Sequence, residues 1–154
     1  MASQIAPETI DSFFEQYGWT YERDGDDLWR TGFRGDVSGF RIFIKLTEHW
    51  AFFTIAPFVV APKDKACTHR LNWHLLRLNR DINMAKFCLD ADGDVVLTVE
   101  LPTENLDYSE FSDALGALSH YADNYYLEIL NLAQAPNASS RYDPKDDDLD
   151  WGDS

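Results

Sequence analysis

The chain has 154 residues, 45% of them hydrophobic and 14% aromatic, enough for one domain that buries roughly two-thirds of the surface its unfolded chain exposes. Its formal net charge of -14 repels phosphate, which disfavours direct nucleic-acid binding and attachment to an anionic membrane. The apolar run from Phe52 to Val60 is far shorter than the roughly 20 residues a spanning helix needs, no leader pattern opens the chain, and Cys67 and Cys88 fit neither a disulfide framework nor a zinc site. A cytoplasmic protein without membrane contact is therefore expected.

The first predicted element is a helix. Pro7 stands at a suitable first helical position, Ile10, Phe13, Phe14 and Tyr17 recur at helical spacing, and Gly18 ends the run. Trp19 to Arg23 and Leu28 to Phe33 read as short strands about the turn Asp24 to Asp27, and Arg34-Gly35-Asp36 turns the chain again. In the next strand Phe40, Ile42, Ile44 and Leu46 alternate with Arg41 and Lys45, so one face is buried and the other wetter. Trp50 to Val60 differs. It is apolar at both parities, with Phe52 and Phe58 on one side and Phe53, Ile55 and Val59 on the other, which predicts cover on both faces.

A second helix is predicted over Thr68 to Ile82, with Leu71, Leu75, Leu78 and Ile82 on one face and Arg70, His74, Arg77 and Arg80 on another. It lies in the one basic stretch, since residues 63 to 86 carry six basic and two acidic side chains. Met84 to Leu101 reads as a hairpin. A three-residue turn Ala91-Asp92-Gly93 pairs Leu89 with Val95, Phe87 with Leu97 and Ala85 with Val99, which keeps the apolar side chains on one face. A two-residue turn would oppose Phe87 to Thr98 and Ala85 to Glu100.

The third helix is predicted from Asp107, with Glu110 three residues on, to about Ala133 before Pro136. Phe111, Leu115, Leu118, Ala122, Tyr125, Ile129 and Leu132 form one seam along it. Periodicity ends at Ala135, and residues 135 to 154 read as an acidic, disordered tail.

Few residues suggest chemistry. Asp90, Asp92 and Asp94 have the start of a calcium loop, but the glycine falls fourth and Val95 and Leu101 occupy the sixth and twelfth positions, so a hairpin turn explains them better. His69 and His74 lie about 140° apart on a helix, the wrong spacing for a shared metal. Neither a nucleophile elbow nor a nucleotide-binding glycine loop is present. No cofactor, metal or catalytic residue is expected. The basic stripe has two readings, a solvated helix face or a dock for acidic chain, and Trp29, Trp50 and Trp73 read as core or as interface anchors.

Leu75-Leu76-Arg77-Leu78-Asn79, the hairpin with its Asp92-Gly93 turn and the helix opening Asp107-Tyr108-Ser109-Glu110-Phe111 carry a resemblance over residues 7 to 134. The chain resembles the type III secretion chaperone-like superfamily and its YbjN-like family of bacterial proteins. That resemblance implies an α+β fold with three helices and an antiparallel sheet of about five strands, in the order α-β-β-β-α-β-β-α. It also implies a homodimer, and a non-enzymatic role in binding a segment of another protein. On this reading the partner face holds Phe43, Trp50, Phe52 and Phe53 on the outer sheet, with Arg70, Arg77 and Arg80 supplying charge. The alternative is a small-ligand protein or enzyme with a pocket near His120, Tyr121 and Asp123.

Overall fold

The computed structural model describes residues 5–144. Helix α1 (Pro7–Tyr17) starts at the proline and ends on Gly18, whose φ of 88° lets its amide donate to the Phe14 carbonyl. Four strands follow: β1 (Tyr21–Asp24), β2 (Leu28–Arg34), β3 (Gly39–Leu46) and β4 (Trp50–Val59). Helix α2 (Lys65–Asp81), the hairpin β5 (Ala85–Leu89) and β6 (Val95–Pro102), and helix α3 (Tyr108–Gln134) complete the order. The strands form one antiparallel sheet in the order β1-β2-β3-β4-β6-β5. The sheet has six strands, not about five, because both short segments flanking the Asp24 to Asp27 turn pair into it.

The hairpin takes the expected register, Leu89 opposite Val95, Phe87 opposite Leu97 and Ala85 opposite Val99. Gly93, at φ 82°, closes the turn by donating to the Asp90 carbonyl. Asp107 caps α3 by accepting from the Glu110 amide at 2.9 Å. Helix α2 begins three residues before the predicted Thr68, because Asp64 accepts from the Ala66 amide at 2.8 Å and caps the earlier turn.

All three helices pack on the same face of the sheet. Ile42, Ile44, Ala51, Phe53, Ile55, Leu97 and Val99 point into one core with Ile10, Phe14, Leu71, Leu78, Phe111, Leu115 and Leu118. Phe111 is its aromatic centre, with ring centroids 5.1 Å from Phe14, 5.4 Å from Phe13 and 5.7 Å from Phe53. Trp29 is fully buried, and its indole N–H donates to Asp11 of α1 at 2.9 Å.

The two-sided apolar pattern of β4 has a different cause from the one the sequence suggests. The pairing register shifts between Ile55 and Val59, so Phe58 and Val59 both turn into the core beyond the irregularity. Phe58 packs on Phe40, Phe87 and Tyr126. Outward-facing apolar residues of β4 are thus confined mainly to its first half, at Trp50 and Phe52.

Residues 135 to 144 also depart from expectation. Far from trailing free, they turn back onto α2 and α3 with Ala138 and Ser140 buried. Residues 145 to 154, the rest of the expected tail, lie outside the described residues.

Phe111→Ala removes the ring on which α1, α3 and the sheet converge. The expected loss is about 3–5 kcal/mol of unfolding free energy, read from guanidinium denaturation. A loss under about 1 kcal/mol would show that the core collapses around the gap and that Phe111 is not its centre.

Candidate protein-binding site

The outer sheet face follows from pleat and register. Opposite-parity residues of adjacent strands align as Glu22, Arg30, Phe43, Thr54, Thr98 and Lys86 in one cross-strand row. A second row runs Asp24, Leu28, Lys45, Phe52 and Glu100. Phe43, Trp50 and Phe52 belong to this face and take no part in the core. Phe43 and Phe52 are half-buried and Trp50 is 45% exposed. Among the described residues, no helix lies on this side.

The polar groups there are mostly satisfied. Thr54 and Thr98 share a hydroxyl hydrogen bond of 3.0 Å, and Lys86 pairs with Glu100, Arg30 with Asp24 and Lys45 with Asp27. Towards the β1 edge the face dips where Gly32 stands opposite Arg41. The depression, 550 Å³, is lined by Tyr21, Glu22, Arg30, Gly32, Arg41 and Phe43. A side chain at Gly32 would meet the Phe40 carbonyl oxygen at 2.7 Å, so this stretch of strand stays bare.

Phe53 is not part of that face. It is fully buried against Phe111, because its parity is that of Ala51 and Ile55, and the expectation that it meets a partner is corrected here. Nor does the structure bring the basic residues beside the aromatic ones. Leu71, Leu75 and Leu78 bury α2 in the helix layer, so Arg70, Arg77 and Arg80 lie on the opposite side of the sheet. The composite site expected from the sequence is two separate surfaces.

Arg70 donates to the Pro136 carbonyl at 3.2 Å and to Asp143 at 3.0 Å. Arg77 lies over Trp73 and Tyr142, each ring centroid 5.4 Å away, and Arg80 is exposed. Below them His74 is fully buried. Its Nδ1 stands 2.6 Å from the Ser140 hydroxyl, while Nε2 lies 3.0 Å from Glu128 but outside hydrogen-bond alignment. Arg141 also grips Glu128 with two guanidinium nitrogens. Sequence periodicity alone could not find this cluster, since it joins α2, α3 and a segment without periodicity.

Burial pushes the Glu128 carboxyl up, but the contacts with His74 and Arg141 outweigh it and hold the group below the ordinary glutamate range. Burial, then the 2.5 Å bond that its hydroxyl donates to Asp81, pushes Tyr142 up to about 12.

A second group of α3 residues was a candidate for a pocket. His120 is exposed and Asn124 donates to its Nδ1 at 3.3 Å. The Tyr121 hydroxyl accepts from the Asn83 amide at 2.9 Å, and Asp123 accepts from the Asp36 amide at 2.8 Å. Gly35 lets Asp123 approach this closely, since a Cβ there would fall 2.3 Å from Oδ1. These side chains diverge to fasten loops to α3. They do not converge on a ligand-sized space. In the hairpin, Asp90, Asp92 and Asp94 bring carboxylate oxygens within 4.8 Å of one another. Asp90 already accepts from the Asp92 and Asp94 amides, and Asp94 accepts from the Ala61 amide.

A family model, YbjN, described as a putative bacterial sensory transduction regulator, matches residues 6–131. The fold is similar to a chain of the heterodimeric ExoU-SpcU complex from the type III secretion system of Pseudomonas aeruginosa. The TM-score there is 0.55 at 20% identity, covering 80% of this chain and 97% of that one. YbjN from E. coli gives a TM-score of 0.58 at 16% identity, covering 78% and 90%. A chain of the HopA1-SchA chaperone-effector complex gives 0.57 at 11% identity, covering 78% and 91%. No curated protein matches by sequence. At these identities the likeness is one of fold, shared with chains of type III secretion and chaperone-effector complexes.

Because the folded-state pKa of Glu128 is depressed, its contribution to stability is present above the ordinary glutamate range and is lost as pH falls through the depressed value. Wild type and Glu128→Gln should therefore differ in denaturation midpoint at neutral pH and converge on acidification. A gap that stays constant with pH would refute the assignment of the depressed carboxyl to this cluster.

Proposed function

We propose that this chain, which belongs to the YbjN family, is a non-enzymatic chaperone-like adaptor of the cytoplasm that binds a segment of another protein on its outer sheet face. The observation that carries this reading is the outer face itself. Three large aromatic side chains, Phe43, Trp50 and Phe52, lie among charged residues on a sheet face that no described helix covers. Aromatic anchors inside a polar rim are the usual composition of a protein-binding surface. Likeness of fold to chains from the ExoU-SpcU complex and from the HopA1-SchA chaperone-effector complex supports the same reading. Both cysteines are free, and no helix of the described residues is long and apolar enough to cross a membrane.

The adaptor is proposed to act as a homodimer, and the contact surface best suited to a second copy is the edge formed by α2 and β5. Leu76 is 73% exposed and Leu89 44%, on either side of a 370 Å³ groove floored by Leu75 and Phe87. β5 is also a sheet edge, where the Asn79 side chain already bonds the Phe87 N–H and carbonyl, so a second copy would meet the exposed side chains rather than a bare strand. The reading of a ligand pocket near His120 gains no support from side chains that hold loops in place.

Affinity capture from the native lysate tests the client-binding reading. The expected result is a stoichiometric protein retained by wild type and lost from the Phe43→Asp/Phe52→Asp variant at unchanged thermal stability. Equal retention by both would overturn the assignment of this face. Light scattering tests the dimer. Wild type is expected at twice the 17.7 kDa chain mass and Leu76→Asp at the single mass, whereas a wild-type monomer at micromolar concentration would refute the dimer.

A further inference from the structure

The segment that follows α3 is seated on α2 in the manner of a bound peptide. Pro136 offers its carbonyl to Arg70, Asp143 pairs with the same guanidinium, and Ser140 bonds the buried His74. Tyr142 is packed edge-on to Trp73 at 6.4 Å, lies against His74 at 5.2 Å and has Arg77 over its ring. Inside the segment Asp143 accepts from the Ser140 amide, and the Ser140 hydroxyl accepts from the Tyr142 amide, so the turn is held in a compact form.

Two features distinguish this contact from core packing. Its attachments are mostly ion pairs, cation–π contacts and single hydrogen bonds, and of its side chains only Ala138 joins the core, with Tyr142 packed at the edge of it. Contacts of this kind are individually weak and open locally before the core does. The fit also leaves open space at its edge. Beside the segment runs a 270 Å³ groove lined by His69, Arg70, Trp73, Ser140, Asp143 and Pro144.

Charge indicates what else fits. In a chain of net charge -14, residues 63 to 86 carry a surplus of four positive charges, and on α2 His69, which lines the groove beside the segment, and Arg80 stay exposed. We propose that the α2 face formed by Arg70, Trp73, His74 and Arg77 docks an acidic segment of another protein that sets a carboxylate next to an aromatic ring. Residues 136–144 occupy this face as an exchangeable intramolecular ligand. The proposal rests on the reading of the chain as a protein-binding adaptor, but it uses the side of the molecule opposite the outer sheet face.

An intramolecular ligand competes at the high effective concentration set by its short tether, so it lowers the apparent affinity of any external ligand by the fraction of time the site is free. Weakening the segment should therefore strengthen binding in trans.

The test uses the full chain and a fluorescein-labelled peptide with the sequence of residues 135–148, which carries Tyr142, Asp143 and three further aspartates. Fluorescence anisotropy should show the Tyr142→Ala/Asp143→Ala variant binding this peptide about ten-fold more tightly than wild type. Addition of Arg70→Glu to that variant should abolish binding. A peptide of scrambled sequence should bind neither protein. Equal affinity of wild type and variant, survival of binding after Arg70→Glu, or equal binding of the scrambled peptide would each overturn the proposal. A segment variant with twice the mass of wild type in light scattering would assign the face to a second copy and overturn it as well.

Hydrogen exchange on wild type keeps the test independent of how the variants fold. Saturating peptide should speed exchange of amides 138–144 and protect those of 69–77, and unchanged exchange at 138–144 would reject the displacement. Phe43→Asp/Phe52→Asp should bind the peptide as wild type does, so a failed outer-face experiment and a failed peptide experiment are told apart.

Discussion

A six-stranded antiparallel sheet has two faces, and among the described residues helices cover one. Every large buried residue of α1, α2 and α3 points to the same side, where Phe111 ties α1 to the sheet through Phe13, Phe14 and Phe53. That single-layer arrangement decides what remains available for function. On the covered side the interior is filled with rings and aliphatic chains, and the polar residues of α3 that looked like a site are engaged in fastening loops. On the uncovered side the alternation of the strands places Phe43, Trp50 and Phe52 outward. An antiparallel sheet tolerates one wetted face, and here the aromatic residues make it a surface with something to lose to water.

The single helical layer also explains where the positive charge stands. Helix α2 must bury Leu71, Leu75 and Leu78 to join that layer, and at 3.6 residues per turn Arg70, Arg77 and Arg80 then face solvent away from the sheet. The charge does not remain bare. Asp143, the Pro136 carbonyl and the ring of Tyr142 cover Arg70 and Arg77 in a chain whose excess of carboxylates makes such cover readily available. Asp11 repeats this logic at the other end of the molecule, where it accepts from both the Trp29 indole and Arg23 and so joins α1 to β1 and β2.

Much of this was legible in the sequence because local rules decide it. The hairpin register follows from the need to keep Phe87, Leu97, Ala85 and Val99 on one face, and the cap at Asp107 follows from its side chain and the amides after it. The strand count was less legible: Trp19 to Arg23 read as a strand, but only its pairing with β2 makes it the edge of a sheet of six rather than about five. Phe53 was placed on the partner face against its own parity with Ala51 and Ile55, whereas Phe58 was misjudged for a different reason. Parity assigns faces only while the register runs unbroken, and the shift between Ile55 and Val59 returns Phe58 to the core. The cluster of His74, Glu128 and Ser140 left no sequence signal at all, because its members come from three segments brought together only by the packing of α2 on α3.

The separation of the two surfaces has a mechanical consequence. A partner on Phe43 and Phe52 and a partner on Arg70 and Trp73 would approach from opposite sides of a core about two layers thick, so neither excludes the other sterically. Any coupling between them has to pass through packed side chains, and a core of this density moves between discrete arrangements or not at all. The contacts that bind residues 136–144 are of another kind, mostly polar and half-solvated with Ala138 alone in the core, and none of those described reaches Phe111. On the proposed reading the fold would combine a rigid platform on one face with a replaceable cover on the other, so that occupancy on α2 could change while the geometry of the outer sheet stays constant.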